Sequence, residues 1–242
     1  MAHALGLDRS AILIDPDRYA VPESFAPLVE RRANHEPIAY ITGTRGFWSI
    51  DLAVGPGALV PRADSETLLL AAQAHFGKRV PATILDLGTG PGTLLLAALA
   101  EWPARGLGVD VSSDALAYAR ANAATLGMTD RADFIRADWA SAIGGRFDLV
   151  LANPPYIGTQ EALPREVRDH EPHGALYAGT DGLDDYRILA RQLPRLIAPG
   201  GAAVVEIGAT QAGAVAALFA AHGLATVLHH DLGGNPRAIT AT

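Results

Sequence analysis

The sequence predicts an α/β fold, a mostly parallel sheet with helices wound on both faces, and three observations carry that prediction. Short apolar runs at 83 to 87, 106 to 111, 132 to 137, 146 to 152 and 202 to 207 alternate with helical stretches, the pattern left by parallel strands joined through right-handed crossovers. The chain has 242 residues, 49% of them hydrophobic, enough to bury one full α/β core and a small appended unit. The residues best suited to hold a ligand fall at the carboxyl ends of successive predicted strands, where open α/β sheets bind their ligands.

Along the chain, residues 22 to 35 begin at Pro22 and carry Phe25, Leu28 and Val29 at helical spacing, so an amphipathic helix ending near Asn34 is expected. Residues 46 to 60 switch to an extended, hairpin-like pattern in which Gly55-Pro56-Gly57 supplies the turn, and Pro61 leads into the next helix. The first sheet strand, 83 to 87, runs into a glycine loop that opens an apolar helix from Thr93 to Trp102. At the far end, 225 to 231 and 236 to 242 are two further strand-like runs divided by Gly233-Gly234-Asn235, a terminal hairpin that adds an antiparallel strand. No internal repeat or low-complexity tract beyond helical alanine runs is present.

The chemistry concentrates at two loops. Residues 84 to 92 read Ile-Leu-Asp-Leu-Gly-Thr-Gly-Pro-Gly, and such a loop lets backbone approach a ligand closely. A dinucleotide-binding fingerprint needs its third glycine at position 93, where this chain has Thr93. Asp86, ahead of Gly88, Thr89, Gly90, Pro91 and Gly92, suits instead the amino end of an amino-acid moiety, which makes S-adenosylmethionine the better candidate cofactor. Asp110 ends the next strand where a carboxylate can take both ribose hydroxyls. Asp138 and Trp139 close the third, where a carboxylate can accept the adenine amine and an indole can pack on its face. The plain alternatives are a simple turn, a helix cap at Asp110 for which Ser112 or Ser113 would also serve, and a core role for Trp139.

The second loop is Asn153-Pro154-Pro155-Tyr156, in which an apolar strand stops at rigid backbone. Asn153 supplies a side-chain carbonyl, the prolines fix where neighbouring main-chain carbonyls point, and Tyr156 adds a flat aromatic wall. A planar NH2 group donating to the Asn153 oxygen and the Pro154 carbonyl is thereby oriented and polarised, so positioning does most of the catalysis and no covalent intermediate is required. Asn153, Pro154 and Tyr156 are the catalytic candidates, and with Pro155 they form the substrate-binding set. Asn153 also belongs to the cofactor-binding set.

Together these segments resemble the HemK/PrmC-type protein-glutamine methyltransferases. The likeness runs over nearly the whole chain: Glu36-Pro37-Ile38-Ala39-Tyr40-Ile41-Thr42-Gly43, Phe47-Trp48, Val60-Pro61-Arg62, Asp86 to Gly92, Asn153 to Tyr156, Glu171-Pro172 and Asp181-Gly182-Leu183. Asn-Pro-Pro-Tyr alone is shared with adenine amino-methyltransferases, so the segment from 36 to 66 makes the match specific. The resemblance implies a class I S-adenosylmethionine-dependent methyltransferase with a Rossmann-like, mostly parallel seven-stranded sheet. It implies methylation of the side-chain amide of the glutamine in the Gly-Gly-Gln loop of class 1 peptide chain release factors, with S-adenosylhomocysteine as product. The expected organisation is an N-terminal helical substrate-recognition remnant at 1–42, a β-hairpin connector at 43–61 and the methyltransferase domain at 62–242. Where the family usually has Pro-Arg-Pro-Glu-Thr-Glu, this chain has Pro61-Arg62-Ala63-Asp64-Ser65-Glu66. Its opening residues match the middle of the family's helical domain, so the first helices are expected to be missing.

Composition narrows the classes further. With no cysteine, a disulfide scaffold, a Cys-based zinc site and a thiol nucleophile are excluded. Net charge is −7 with no Lys/Arg-rich run, so no footprint for direct nucleic-acid binding is visible. No apolar stretch is long enough for a bilayer and no signal pattern opens the chain, so a cytoplasmic enzyme with no membrane partner is expected. Asp169-His170-Glu171-Pro172-His173 and His229-His230-Asp231 lack helical metal-ligand spacing, and no metal is expected. Two other functions stand beside the leading one: methylation of the exocyclic amine of adenine in DNA or RNA, and a non-catalytic module that binds S-adenosylmethionine.

Overall fold

The computed structural model describes residues 1–242. Four short helices open it: α1 (Ala2–Leu5), α2 (Arg9–Ile14), α3 (Phe25–Ala33) and α4 (Ile38–Thr42). Asp8 caps α2 by accepting from the Ser10 amide at 2.7 Å. The expected amphipathic helix is α3, ending at Asn34, and Arg31 in its last turn pairs with Glu36 at 2.5 Å.

Strands β1 (Thr44–Phe47) and β2 (Ile50–Ala53) form an antiparallel hairpin. Its turn is not at Gly55-Pro56-Gly57, as the glycines suggested. Phe47 pairs with Ile50, so the chain reverses at Trp48-Ser49, and Trp48 takes a positive φ of 53°. The cause is tertiary: the Trp48 amide donates to Glu66 at 2.9 Å and its indole to Glu101 at 3.3 Å, contacts that no local turn signal reveals. Gly55 to Gly57 make a separate turn closed by the Ala58 amide on the Gly55 carbonyl.

Beyond the hairpin lie α5 (Glu66–Phe76), β3 (Thr83–Leu87), α6 (Thr93–Glu101), β4 (Arg105–Asp110), α7 (Ser113–Thr125), β5 (Ala132–Arg136) and β6 (Phe147–Ala152). They are followed by α8 (Arg165–His170), α9 (Asp184–Leu196), β7 (Ile197–Glu206), α10 (Ala212–Ala220), β8 (Thr226–His230) and β9 (Pro236–Ala241). Seven strands make one sheet in the order β5-β4-β3-β6-β7-β9-β8, with β9 antiparallel to both its neighbours. Chain order reverses between β3 and β6, which creates a crevice at their carboxyl ends. Strand β7 starts five residues before the predicted 202, because Ile197 already pairs with Phe147 before the register shifts.

Period-two alternation divides the core. Ile84, Leu149, Leu151 and Val204 face the cluster built with α5, α6 and the hairpin. Leu85, Leu87, Val150, Ala152, Ala203 and Val205 face the cluster built with α9 and α10. Buried Asn122 of α7 joins hairpin to sheet: it accepts from the Ala53 amide at 2.8 Å and donates to the Pro91 carbonyl at 2.9 Å. No helix is long and apolar enough to cross a membrane.

Candidate active site

A cavity of about 340 Å³ opens at the carboxyl ends of β3, β4, β5 and β6. Its wall includes Asp86, Gly88, Thr89, Gly90 and Pro91 from the glycine loop, Asp110 after β4, Asp138 and Trp139 after β5, and Asn153 and Pro155 after β6. Residues from four sequence regions thus reach one space because each lies at the carboxyl end of a strand of the same sheet.

The glycine loop is a cradle. Gly88, Gly90 and Gly92 hold φ of 73°, 57° and 87°, which L side chains rarely adopt. The Gly88 and Thr89 amides both donate to the Val109 carbonyl at 2.9 Å, bringing the loop onto β4. The Asp110 carboxylate completes the brace, accepting from Gly90 and Ser112 amides at 2.8 Å each. Ser112 itself caps α7 through the Ala115 amide at 3.2 Å, so Asp110 is not needed for that cap. Each Asp110 oxygen retains acceptor capacity toward the cavity.

Asp86 is 1% exposed. One of its oxygens, Oδ2, accepts from the Thr89 hydroxyl at 2.7 Å and the Leu95 amide at 3.1 Å. The other, Oδ1, is buried with no hydrogen-bond partner. Burial pushes the carboxyl up to about 7 despite these two bonds. An orphaned buried carboxylate oxygen costs about 1–3 kcal/mol, and a cationic group on a ligand in the cavity relieves it. The wall carries Asp86, Asp110, Asp138 and Asp185 against a single cation, Arg62. That balance suits a positively charged ligand, and the donor set fits S-adenosylmethionine.

At the β5 end, Trp139 adopts φ 45° and its indole donates to Asp185 at 3.1 Å. A Cβ on Gly88 would lie 3.4 Å from the Trp139 ring, so the indole covers the loop as well as bordering the cavity. Asp138 is exposed on the rim.

Asn153 donates from Nδ2 to the Ser65 hydroxyl at 3.3 Å. Neither its Oδ1 nor the Pro154 carbonyl accepts a hydrogen bond from the protein, so two acceptors stand free at the loop. Pro154 is buried, and neither it nor Tyr156 is part of the cavity wall. Tyr156 packs against the core cluster on the α9 side, and burial followed by the charge of Glu206 pushes its phenol up to about 12. Its carbonyl accepts from Gln211 at 2.9 Å, which also donates to Gly182 at 3.2 Å.

The remaining family-like segments brace this site. Glu171 is buried, pairs with Arg62 and accepts from the Val60 amide at 3.1 Å. The Tyr40 hydroxyl donates to the Ala58 carbonyl at 2.5 Å. Of the histidines in the two apparent metal clusters, His170, His173 and His229 sit against Asn34 carbonyl, Arg168 carbonyl and Thr240 hydroxyl at 3.0, 2.8 and 2.8 Å. No group of three or more His, Asp or Glu side chains that could hold a metal comes together.

Asp185, Ser65 and Glu206 also reach this site, and no motif in the sequence marks Asp185 or Ser65. An available signal for Glu206 is a carboxylate at the end of an otherwise apolar strand, Ala202–Val205. Ser65 falls in the helix-entry segment and its burial is not visible there.

The strand order and cradle define a class I methyltransferase fold. Residues 61–168 match the family model "Methyltransferase small domain" and residues 1–43 the model "PrmC N-terminal domain". A solved methyltransferase from Pyrococcus furiosus superposes with a TM-score of 0.61 at 16% identity, covering 90% of this chain and 96% of the other. The release factor glutamine methyltransferase of Rhodospirillum rubrum is 46% identical over 246 residues, 99% of this chain and 75% of the relative. That of Caulobacter vibrioides is 47% identical over 231 residues, 93% of this chain and 80% of the relative. The chain belongs to the release factor glutamine methyltransferase family.

Proposed function

We propose that this protein uses S-adenosylmethionine to methylate the side-chain amide nitrogen of the glutamine in the Gly-Gly-Gln loop of class 1 peptide chain release factors, acting in the cytosol. The observation that carries this reading is the free acceptor Asn153 Oδ1 in the wall of a cavity whose buried Asp86 lacks a partner, with the Pro154 carbonyl also without a protein donor on the same loop. S-adenosylmethionine, when bound, supplies an electrophilic methyl group on a sulfonium. Asp86 would hold its amino end, the glycine loop its backbone, Asp110 its ribose, and Asp138 with Trp139 its adenine. An amide nitrogen is a weak nucleophile because its lone pair is delocalised into the carbonyl. Asn153 Oδ1 and the Pro154 carbonyl, by accepting both NH2 hydrogens, would polarise that nitrogen and fix its orientation. Methyl transfer from labelled S-adenosylmethionine to purified release factor tests the reading, with loss on replacing the glutamine by alanine as the control.

Asp110→Ala should weaken S-adenosylmethionine binding by about 1.5–3 kcal/mol, the scale of hydrogen bonds to a charged group. Calorimetry giving the wild-type affinity would leave Asp110 only its bonds to Gly90 and Ser112.

Cofactor affinity should also depend on pH through Asp86. The folded carboxyl is raised to about 7, so the group stabilises the free protein below its ordinary titration range, and that contribution is lost as pH rises through about 7. Binding of a cation needs the ionised form, so affinity should rise with pH and fall about tenfold from pH 8 to pH 6. Asp86→Asn should bind weakly at both values. Equal wild-type affinities at pH 6 and pH 8 would contradict the assignment.

A further inference from the structure

Another buried carboxylate lies behind Asn153. Glu206 ends β7, is 1% exposed, and accepts from the Ser65 hydroxyl at 2.5 Å. Ser65, 2% exposed just before α5, receives the Asn153 Nδ2 at 3.3 Å on its other side. These residues come from three distant segments, and hydroxyl chemistry couples them. A serine hydroxyl has one proton. With that proton committed to Glu206, the Ser65 oxygen can only accept from Asn153, which forces the amide to present nitrogen to Ser65 and leaves Oδ1 as its free acceptor.

Resting on the methyl-transfer reading above, we infer that Ser65 and Glu206 are positioning residues that lock the rotameric sense of the Asn153 amide, so that its oxygen rather than its nitrogen meets the substrate amide. An unlocked amide turned by 180° would present NH2 to the substrate's NH2, a donor facing a donor.

The lock depends on the charge of Glu206. The groups facing this carboxylate are Arg237 from β9, Asp64 and Arg62 from the entry to α5, Tyr186 of α9 and Tyr156 of the loop after β6. Burial, the largest influence, raises its carboxyl to about 7, opposed by the Ser65 bond and by Arg237. Once protonated, Glu206 can donate to Ser65, freeing the hydroxyl proton to turn toward Asn153. The amide then answers with its oxygen, and the acceptor is withdrawn from the cavity. At saturating cofactor and release factor, kcat should therefore fall as pH drops below about 7.

The test compares wild type, Ser65→Ala, Ser65→Thr and Glu206→Gln. Ser65→Ala should lower kcat at least about tenfold, as loss of a supporting hydrogen bond does elsewhere, with S-adenosylmethionine affinity unchanged within about twofold. Ser65→Thr, which keeps the hydroxyl, should restore most of that loss. Glu206→Gln should abolish the acid limb of the kcat profile. Independently of activity, the Asn153 side-chain amide signal in the nitrogen-15 NMR spectrum should titrate in wild type and not in Glu206→Gln. Wild-type kcat in Ser65→Ala, failure of Ser65→Thr to rescue, or an Asn153 signal indifferent to pH would each overturn the inference. A wild-type enzyme that leaves release factor unmethylated would overturn the methyl-transfer reading itself, while the NMR titration still decides whether the lock exists.

Discussion

Asn153→Ala is expected to reduce turnover by about two orders of magnitude or more while cofactor affinity changes little. The side chain offers one acceptor that the protein leaves free, and its nitrogen is already engaged by Ser65. Removing one preorganised polar group at a reacting centre costs about 2.7–4 kcal/mol in the transition state. The Pro154 carbonyl remains in the variant, so substrate still binds, but its planar amide is held by one acceptor and is no longer fixed in orientation. Single-turnover kinetics at saturating cofactor, with binding measured separately by calorimetry, distinguish these quantities. Near-normal turnover would remove Asn153 from the mechanism.

Gly182→Ala should show the largest effect among substitutions outside the cavity. Gly182 holds φ 69°, and a Cβ there would run into the Tyr156 carbonyl oxygen. Neither obstacle can relax cheaply, because the clash is with backbone and Gln211 ties Tyr156 and Gly182 together. A non-glycine residue in the left-handed region costs about 1–3 kcal/mol, and overpacking a tight site a further amount of about 1–3 kcal/mol. Thermal unfolding should shift down by at least about 5 °C. Residual activity of the folded fraction should also fall, since the displaced atoms belong to the loop that carries Asn153 and Pro154. An unchanged melting temperature would show that this contact yields without cost.

Much of the fold was legible because its strands are buried on both faces. Runs such as Ile84-Leu85 and Leu149-Val150-Leu151 are apolar without interruption, and their alternation with helices leaves little choice of architecture. The extended pattern of residues 46 to 60 marks the region of the hairpin but not its turn. Glycine and proline advertise local backbone freedom, whereas the reversal at Trp48 is fixed by Glu66 and Glu101, far away in sequence. The candidate site is legible to the extent that its residues lie at strand ends: Asp86, Asp110, Asp138, Trp139 and Asn153 all border one cavity. Tyr156 shows the limit. An aromatic residue beside a binding motif looks like a wall from the sequence, yet here its ring is partly buried against the core cluster on the α9 side and does not line the cavity. Ser65 is invisible for a related reason, since its hydrogen bond to Glu206 spans 141 residues and leaves no trace in local pattern.

Methylation of a protein amide in this cavity can be distinguished from methylation of a nucleobase in a single experiment. The protein is incubated with labelled S-adenosylmethionine and, in parallel, class 1 release factor, adenine-containing DNA and RNA, and the modified products are mapped by mass spectrometry. A single added methyl group is expected on the glutamine of the Gly-Gly-Gln loop, none on release factor lacking that glutamine, and none on nucleic acid. Label appearing on adenine, or release factor remaining unmodified while the protein binds S-adenosylmethionine, would contradict methylation of a protein amide.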